Sequence, residues 1–446
     1  MDLAGKRVVV VGLGASGVAA ARLGLRRGAK VTATDVKTLD RLDDEAKALA
    51  GLGATLALGG HGQAGFREAD LIVVSPGVPR LPEIEAAERA GVPVIGEVAL
   101  AVGLLRHPAP LVYVGGTNGK STTTSLIGAM LERHGSVTFT GGNLGEPLAN
   151  HADERFDVIV LEVSSFQLER MPVPRPDVSV LLNITDDHLD RYPSFDAYAD
   201  AKGNAFVAQS ALDAAVIPVG DAVCEREARR GEGRRVTFGP GGTVDLRDDA
   251  IVDTRSGVRF PRKDIALQGG HNAHNAAAAI AAVGELGVGA AAITDVLASF
   301  RGLPHRMARV GEIAGVRFYD DSKGTNVGAA VTALLGLGEP RAVLIAGGRD
   351  KGGSYEPLVS ALRQKGRAAV LIGEAAPALA AAIGDAVPIR RAASMRDAVR
   401  ASASLAEPGD AVLLSPACSS YDMFRDYKHR GDAFVEEVRA LEGILP

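Results

Sequence analysis

The 446-residue sequence has little cysteine, no tryptophan and no long hydrophobic run. Its two cysteines, Cys224 and Cys418, lie far apart in the chain, which excludes a disulfide framework and a metal knuckle. No segment approaches the ~18 uninterrupted apolar residues of a membrane-spanning helix. Residues 1–7 lead directly into an apolar run, so we expect neither a signal peptide nor a membrane span. Together these absences predict a cytoplasmic protein.

Strong charge of one sign is also missing. The formal net charge is -5, and no long basic run occurs. Nucleic acid is therefore not expected as a partner, although scattered lysines and arginines could bind phosphates. We expect the partners to be small anions.

What is present is an α/β composition. The chain is 46% hydrophobic and contains 54 glycines, and its apolar runs end in Gly, Asp, Ser or Asn. This pattern is typical of parallel strands that are buried on both faces. At roughly 150 residues per domain, the length favours three domains, which we place at 1–97, 98–303 and 304–446.

The apolar runs predict a strand set for each domain. In the first domain they alternate with helical segments, as in a doubly wound sheet. Because ligands of parallel sheets bind beyond the carboxyl ends of strands, residues 320–323, 347–351 and 415–418 should line one edge of the third domain. The main predicted strands are 7–11, 30–34, 71–74 and 93–95, then 111–114, 137–140, 158–161, 178–182 and 215–219, then 316–319, 342–346, 370–372 and 411–414, with a long helix over 272–286.

Residues 114–121 carry the strongest functional signal. Their sequence Val-Gly-Gly-Thr-Asn-Gly-Lys-Ser joins a predicted strand to a predicted helix. Glycines let the backbone approach phosphate oxygens, Lys120 can reach the β- and γ-phosphates, and the Ser121 hydroxyl can bind Mg²⁺. The usual P-loop spacing would require glycine where Val114 stands, so this loop is a short variant. It predicts a nucleoside triphosphate site.

A second glycine-rich loop follows the first predicted strand. Gly12, Gly14 and Gly17 have dinucleotide-binding spacing, and Asp35 ends the next strand 18 positions beyond Gly17. Alone, this pattern would equally suit a nicotinamide oxidoreductase, yet the same geometry serves any uridine or adenosine diphosphate. The oxidoreductase interpretation leaves residues 115–121 unexplained.

Three further residues are candidates for binding a metal ion or a substrate. Glu162 ends a strand near the phosphate loop and could bind Mg²⁺, the alternative being a solvated loop acid. His188 follows the strand at 178–182 and lies among Asp186, Asp187 and Asp190, whose spacing is not that of a zinc site. Its position beyond a strand favours a ligand or substrate contact over the structural role of most single histidines. Lys202, inside a predicted helix, is a surface lysine on sequence alone.

Several motifs together resemble the Mur ligases, which are ATP-dependent amide-forming enzymes of peptidoglycan precursor synthesis. They lie at 116–121, 162–167, 183–191, 303–306 and 347–352, so the resemblance covers the whole chain. It implies an N-terminal Rossmann-like domain that binds a UDP-substrate, a central P-loop-type ATPase domain and a C-terminal Rossmann-like domain that binds an amino acid. Residues 320–326 and 415–424, with Arg430 and Gly431, resemble the member that adds D-glutamate to UDP-N-acetylmuramoyl-L-alanine through an acyl phosphate.

The resemblance also implies roles for individual residues, and it implies ATP, two Mg²⁺ ions and a CO₂-derived carbamate on Lys202. Lys120, Glu162, His188 and Lys202 would be catalytic. The UDP-substrate would bind at Gly14, Ala15, Ser16, Asp35, Lys37, Ser75, Gly77, Asn143 and His188; ATP at Gly116, Thr117, Asn118, Gly119, Lys120, Ser121, Thr122, Asn275, Arg306 and Asp321; glutamate at Lys323, Thr325, Lys351, Ser420 and Tyr427; and the metal ions at Ser121, Glu162, His188 and carbamylated Lys202.

Some points stay open at this level. Val36 and Tyr427 depart from the Thr and Phe that are familiar in the family at those places. A nucleotide switch would need no glutamate pocket, and a sibling ligase could act on a folate or another peptide precursor. We expect a monomer, but the sequence does not fix the oligomeric state, the regulation or the choice of D- over L-glutamate.

Overall fold

The computed structural model describes residues 1–170, 174–188, 191–267, 269–350 and 354–442. The chain divides into two compact units. The first comprises Met1–Ile184, Asp196–Ile265 and His274–Ser299, and the second comprises Thr185–Phe195, Ala266–Ala273 and Phe300–Pro446. Within the described residues the strands form three sheets, of five, nine and six strands, which confirms the predicted three-domain α/β class.

The first sheet is parallel, in the order β3-β2-β1-β4-β5. Its order reverses beside β1, so the ends of β1 and β4 flank the crevice where such sheets bind ligands. The short, partly exposed strand β3 was not predicted. The elements are β1 (Arg7–Val11), α1 (Ala15–Arg26), β2 (Lys30–Asp35), α2 (Asp44–Lys47), β3 (Thr55–Leu58), β4 (Leu71–Val74), α3 (Pro82–Arg89), β5 (Val94–Gly96) and α4 (Glu97–Gly103).

The second sheet runs β14-β13-β12-β11-β10-β9-β6-β8-β7. Strands from β7 to β12 pair in parallel, and β12, β13 and β14 form an antiparallel edge. The elements are β6 (Leu111–Gly115), α5 (Lys120–His134), β7 (Thr138–Gly142), β8 (Val158–Glu162), α6 (Ser165–Leu168), β9 (Val178–Leu181), α7 (Phe195–Val207), β10 (Ala214–Pro218), α8 (Ala222–Ala228), β11 (Arg234–Gly239), β12 (Val244–Leu246), β13 (Ala250–Asp253), β14 (Val258–Pro261), α9 (Gly270–Glu285) and α10 (Ala290–Ser299).

The third sheet runs β15-β16-β20-β17-β18-β19 and is parallel except for β15. Strands β16 and β17 flank β20, so the loops after these three strands leave the same edge. The elements are β15 (Ala308–Ile313), β16 (Val316–Asp320), α11 (Val327–Gly336), β17 (Ala342–Gly347), α12 (Glu356–Lys365), β18 (Gly366–Ile372), α13 (Ala376–Ile383), β19 (Ile389–Arg391), α14 (Met395–Leu405), β20 (Ala411–Leu414) and α15 (Tyr427–Glu442).

Burial follows the predicted pattern. Strands β6, β8, β9, β17 and β20 are buried along their whole length, as expected for parallel strands covered on both faces. None of the described helices has both the length and the apolar content that crossing a bilayer demands.

A buried carboxyl group lies inside the first unit, where α4 follows the first sheet. The Glu97 side chain is 1% exposed, and its Oε1 accepts a hydrogen bond from the backbone N–H of Ala149 at 2.9 Å. Burial raises the pKa of Glu97 to about 7. Arg27 ties α1 to the same region through Asp153 at 2.8 Å.

Candidate active site

The phosphate loop lies between β6 and α5, as its sequence predicts. Gly116 and Gly119 have positive φ angles of 138° and 85°, which glycine adopts without strain. A Cβ atom at Gly119 would lie 2.3 Å from Oδ1 of Asn275, so α9 approaches the loop too closely for any side chain there. The loop therefore presents backbone at the amino end of α5, the geometry that binds phosphate groups.

Asn183, which follows β9, holds the loop from the neighbouring strand. Its carbonyl accepts from Thr117 N–H at 2.9 Å, its Oδ1 accepts from Asn118 N–H at 2.9 Å, and its Nδ2 donates to Asn118 O at 3.1 Å. Sequence reasoning gave Asn183 no role, although it opens the motif that contains His188. Its three hydrogen bonds hold the backbone of the loop in place.

Two lysines meet on one loop carbonyl. Nζ of Lys120 donates to the carbonyls of Gly116 and Thr117, at 2.9 and 2.8 Å. Nζ of Lys202 donates to the same Gly116 oxygen at 2.8 Å. The surface position that sequence alone suggested for Lys202 is wrong, because this side chain is 2% exposed.

The helix α7 explains how Lys202 is buried. Tyr198 lies one turn earlier, on the same helical face, and Lys202 Nζ is 4.5 Å from the centroid of its ring. The Tyr198 hydroxyl lies 3.2 Å from Thr117 Oγ1, so the tyrosine also contacts the phosphate loop. Sequence reasoning missed Tyr198, and its spacing of four from Lys202 was the available signal.

Glu162 ends β8 and is 2% exposed, so the alternative of a solvated loop acid is wrong. Its Oε1 accepts a hydrogen bond from Nδ2 of Asn143 at 2.8 Å, and its carbonyl accepts from Asn143 N–H at 2.9 Å. Ser121, in the first turn of α5, is 1% exposed. Carboxylate and hydroxyl oxygens are suitable ligands for Mg²⁺, together with phosphate oxygens. Among the described residues no cluster of three or more His, Cys, Asp or Glu side chains could hold a metal ion.

The glycine-rich loop after β1 is organised by two polar side chains. Ser75 Oγ donates to Gly12 O at 2.7 Å, and a Cβ atom at Gly17 would lie 1.8 Å from that same oxygen. The Asp35 carboxylate accepts from the N–H groups of Leu13, at 2.7 Å, and Lys37, at 2.9 Å. Asp35 therefore holds the backbone of this loop in place, in addition to the ligand contact predicted for it. Among the other residues predicted to bind the UDP-substrate, Gly14 caps α1, and Ala15 and Ser16 form the first turn of that helix. Gly77 faces open space, and Val36, next to Asp35, is 68% exposed.

In the second unit, Asp321 follows β16. Its carboxylate accepts from Ser415 Oγ at 2.7 Å and from Met307 N–H at 3.3 Å. Burial raises the pKa of Asp321 to about 7, and the Ser415 hydrogen bond and the charge of Arg306 act in the opposite direction. The charge of Arg306 thus acts on Asp321, and their shared contact with the adenosine stays a prediction.

Two of the predicted glutamate-binding residues, Lys323 and Tyr427, lie side by side at the start of α15. Nζ of Lys323 is 4.0 Å from the centroid of the Tyr427 ring, and Thr325 N–H donates to the Lys323 carbonyl at 2.8 Å. Ser420, which follows β20, is 2% exposed. Lys351 lies outside the described residues.

His188 also belongs to the second unit, although its motif begins in the first. It has a positive φ of 56°, and its Nε2 is 3.6 Å from Oδ2 of Asp187. Asn326 Nδ2 donates to that same oxygen at 3.1 Å. These three residues, with Asp350 and Tyr355, line part of a cavity of about 280 Å³.

Comparison with known proteins shows to which family the chain belongs. Residues 6–96 match the MurD-like N-terminal domain of Mur ligases, 114–283 the Mur ligase middle domain, and 305–418 the glutamate ligase domain of Mur ligases. The chain is 44% identical to the UDP-N-acetylmuramoylalanine–D-glutamate ligase of Geobacter metallireducens, over 99% of both chains. It is 46% identical to the enzyme of the same name from Anaeromyxobacter dehalogenans, over 97% of both.

The chain belongs to the Mur ligase family. Its fold is also similar to that of the MurF ligase of Thermotoga maritima in complex with ADP, with a TM-score of 0.62, 18% identity, and coverage of 98% of this chain and 96% of that one. The loop at 115–121 lies in the part of the chain that matches the Mur ligase middle domain. Lys323, Thr325 and Asp321 lie in the part that matches the glutamate ligase domain.

Proposed function

We propose that the chain is an ATP-dependent ligase that joins D-glutamate to the L-alanyl carboxylate of UDP-N-acetylmuramoyl-L-alanine. The observation that carries this proposal is the phosphate loop, with Lys120 folded over its carbonyls at the amino end of α5. The full-length identity of 44–46% to ligases of this name supports the choice of substrates.

The chemistry requires an activated carboxylate. An amine cannot displace oxide from a carboxylate at neutral pH, so the γ-phosphoryl group of ATP is first transferred to the L-alanyl carboxylate and ADP leaves. The glutamate amine, having lost a proton, then adds to the acyl phosphate carbonyl. The tetrahedral intermediate expels inorganic phosphate and leaves the amide.

The residues of the phosphate loop would serve the first step. Backbone N–H groups at 116–122 would bind the ATP phosphates, and Lys120 would exchange its bonds to Gly116 and Thr117 for phosphate oxygens. Ser121 and Glu162 would hold Mg²⁺, which when bound offsets the negative charge of the transferring phosphoryl group. Asn275, Arg306 and Asp321 would contact the adenosine.

Lys202 would act as a carbamate. CO₂ adds to the uncharged amine, and the Lys202 side chain is buried where it shares the Gly116 oxygen with the ammonium of Lys120. Addition of CO₂ to the uncharged amine forms an N–C bond and releases one proton, which leaves an anion with two oxygens. Counted from the ammonium, two protons are lost and the charge changes from positive to negative. Such a group is a suitable Mg²⁺ ligand, whereas an ammonium would repel the ion.

The other substrates would bind in the two outer domains, whose bounds we place at 1–97 and 304–446. Gly14, Ala15, Ser16, Asp35, Lys37, Ser75 and Gly77 would hold the uridine diphosphate, while Asn143 and His188, from the central range 98–303, would contact the muramoyl part. Lys323, Thr325, Lys351 and Ser420 would bind the two glutamate carboxylates through charge-assisted bonds, beside Tyr427. We further propose that the enzyme acts in the cytoplasm as a monomer.

Phosphate release with ATP, Mg²⁺ and UDP-N-acetylmuramoyl-L-alanine, measured across D- and L-amino acids, tests the proposal. Turnover with D-glutamate alone is the expected result. A folate acceptor that supports turnover while the UDP-substrate does not would favour a sibling ligase. Hydride transfer to or from a nicotinamide would favour the oxidoreductase, and nucleotide binding without turnover would favour a switch.

A further inference from the structure

A buried arginine outside the proposed substrate contacts lies beneath the loops of the glutamate site. Arg430, on α15, is completely buried, and arginine is rarely so unless its donors are used. Burial lowers its pKa to about 10, so it remains charged at neutral pH. A buried cation that costs desolvation energy needs a structural reason for being there.

The guanidinium joins two of the loops directly. Its Nε and Nη2 donate to Oγ and O of Ser322, at 3.0 and 2.8 Å, and its Nη1 donates to the carbonyl of Cys418 at 3.2 Å. Ser322 lies in the loop after β16, one residue before Lys323. Cys418 lies in the loop after β20, two residues before Ser420.

The third loop packs against the same group. A Cβ atom at Gly348, after β17, would lie 3.2 Å from Nη1 of Arg430 and 2.1 Å from the carbonyl oxygen of Ser419. Arg349 and Ser419 also exchange backbone hydrogen bonds, at 2.9 and 3.1 Å. Position 348 therefore needs glycine, and the backbone at this position lies against the guanidinium.

We propose that Arg430 is a positioning residue for the glutamate site, which fixes the loops after β16, β17 and β20 relative to one another. The inference rests on the proposed glutamate pocket, since the loops after β16 and β20 carry Lys323, Thr325 and Ser420. Arginine suits the task because its planar fork directs several donors at fixed angles, which lysine cannot do. The same helix begins with Tyr427, whose carbonyl accepts from Ser322 Oγ at 2.8 Å.

The test compares Arg430→Met and Arg430→Lys with Phe434→Leu. Phe434 lies one turn further along α15, is fully buried in the core of the same unit and takes part in none of the bonds described. Both Arg430 variants should raise the KM for D-glutamate about tenfold or more, with less than a twofold change in the KM for the UDP-substrate. Phe434→Leu should lower the melting temperature without changing the glutamate KM.

Hydrogen exchange without substrates gives a readout that is independent of activity. In Arg430→Met the amides of 321–326 and 417–420 should exchange faster, about tenfold, while those of β17 stay protected. If Arg430→Met does not fold, Ser322→Ala removes the Nε acceptor, together with the bond of the same hydroxyl to the Tyr427 carbonyl, and should raise the glutamate KM by about threefold.

The inference is overturned if folded Arg430 variants keep a glutamate KM within twofold of wild type, if Arg430→Lys restores it fully, or if Phe434→Leu raises it equally. Absence of glutamate-dependent phosphate release in the wild-type enzyme would instead remove the proposed function. These two failures are therefore distinguishable in the same assay.

Discussion

The phosphate loop and the proposed glutamate site are built in different ways. The first uses residues 115–121, which are consecutive in sequence, and helix α5 follows them directly. The second draws on loops after three separate strands and on the start of α15, joined by Arg430. A contiguous motif carries its geometry in its own backbone, whereas an assembled site depends on the sheet that brings its parts together. Damage to a single residue should therefore have different consequences in the two places.

The largest expected effect is at the phosphate loop. Lys120→Ala should lower kcat by about a thousandfold or more, because the charge of the transferring phosphoryl group loses its direct partner. Calorimetric titration should show almost unchanged affinity for the UDP-substrate, which is assigned to a different loop in a different domain. An affinity loss beyond about tenfold (1.4 kcal/mol) would show that the two nucleotide sites are not separate.

Lys202→Ala should be the next most damaging change, with kcat lowered roughly a hundredfold or more if its carbamate is a metal ligand. Short-chain carboxylic acids in solution should restore part of the activity by supplying oxygen atoms to the vacated position, and they should not stimulate the wild-type enzyme. Near-normal turnover of Lys202→Ala would contradict the carbamate and leave the lysine as a structural contact of Gly116.

In the assembled site the effects should be smaller and confined to one substrate. Ser420→Ala should raise the KM for glutamate about tenfold, through loss of one hydrogen bond to a carboxylate, with little change for ATP. Ser419→Ala is the matched control, since that hydroxyl belongs to the neighbouring residue and donates to the Arg349 carbonyl at 3.2 Å. Equal KM changes for all three substrates would indicate a folding defect.

The smallest effect concerns stability. Because burial raises the pKa of Glu97 to about 7, its contribution is complete below the unfolded pKa of ~4.5 and is lost as pH rises through 7. Glu97→Gln keeps an oxygen acceptor for Ala149 N–H but cannot ionise. Thermal unfolding between pH 4.5 and 8 should show a flatter pH dependence for the variant and higher relative stability at pH 8, by about 1–3 kcal/mol. An unchanged slope would show that Glu97 does not titrate in this range.

Sequence reasoning predicted the buried parallel strands best. The bounds of β1, β4 and β20 agree with prediction, because continuous apolar runs mark strands that are covered on both faces. It missed β3, β15 and β19, which form sheet edges and have exposed, partly polar residues, and also the short strands β12 and β13 of the antiparallel end of the second sheet. Their pairing depends on neighbouring strands rather than on their own composition.

The candidate site shows the same limit. Lys120, Ser121 and Glu162 could be predicted from local motifs, because a strand end or a helix start fixes each position. The burial of Lys202 could not, since it depends on where α7 packs over Gly116. Arg430 was visible only as part of a family motif, and the bonds that explain it join residues 108 and 12 positions away in sequence.

The contact between Gly119 and Asn275 has a consequence for inhibition. Any side chain at 119 would collide with Asn275 Oδ1 and would also have to adopt a φ of 85°. A compound that binds the backbone N–H groups of this loop would thus rest on a position where no side chain fits. A single substitution of Gly119 therefore offers no simple route to resistance against such a compound.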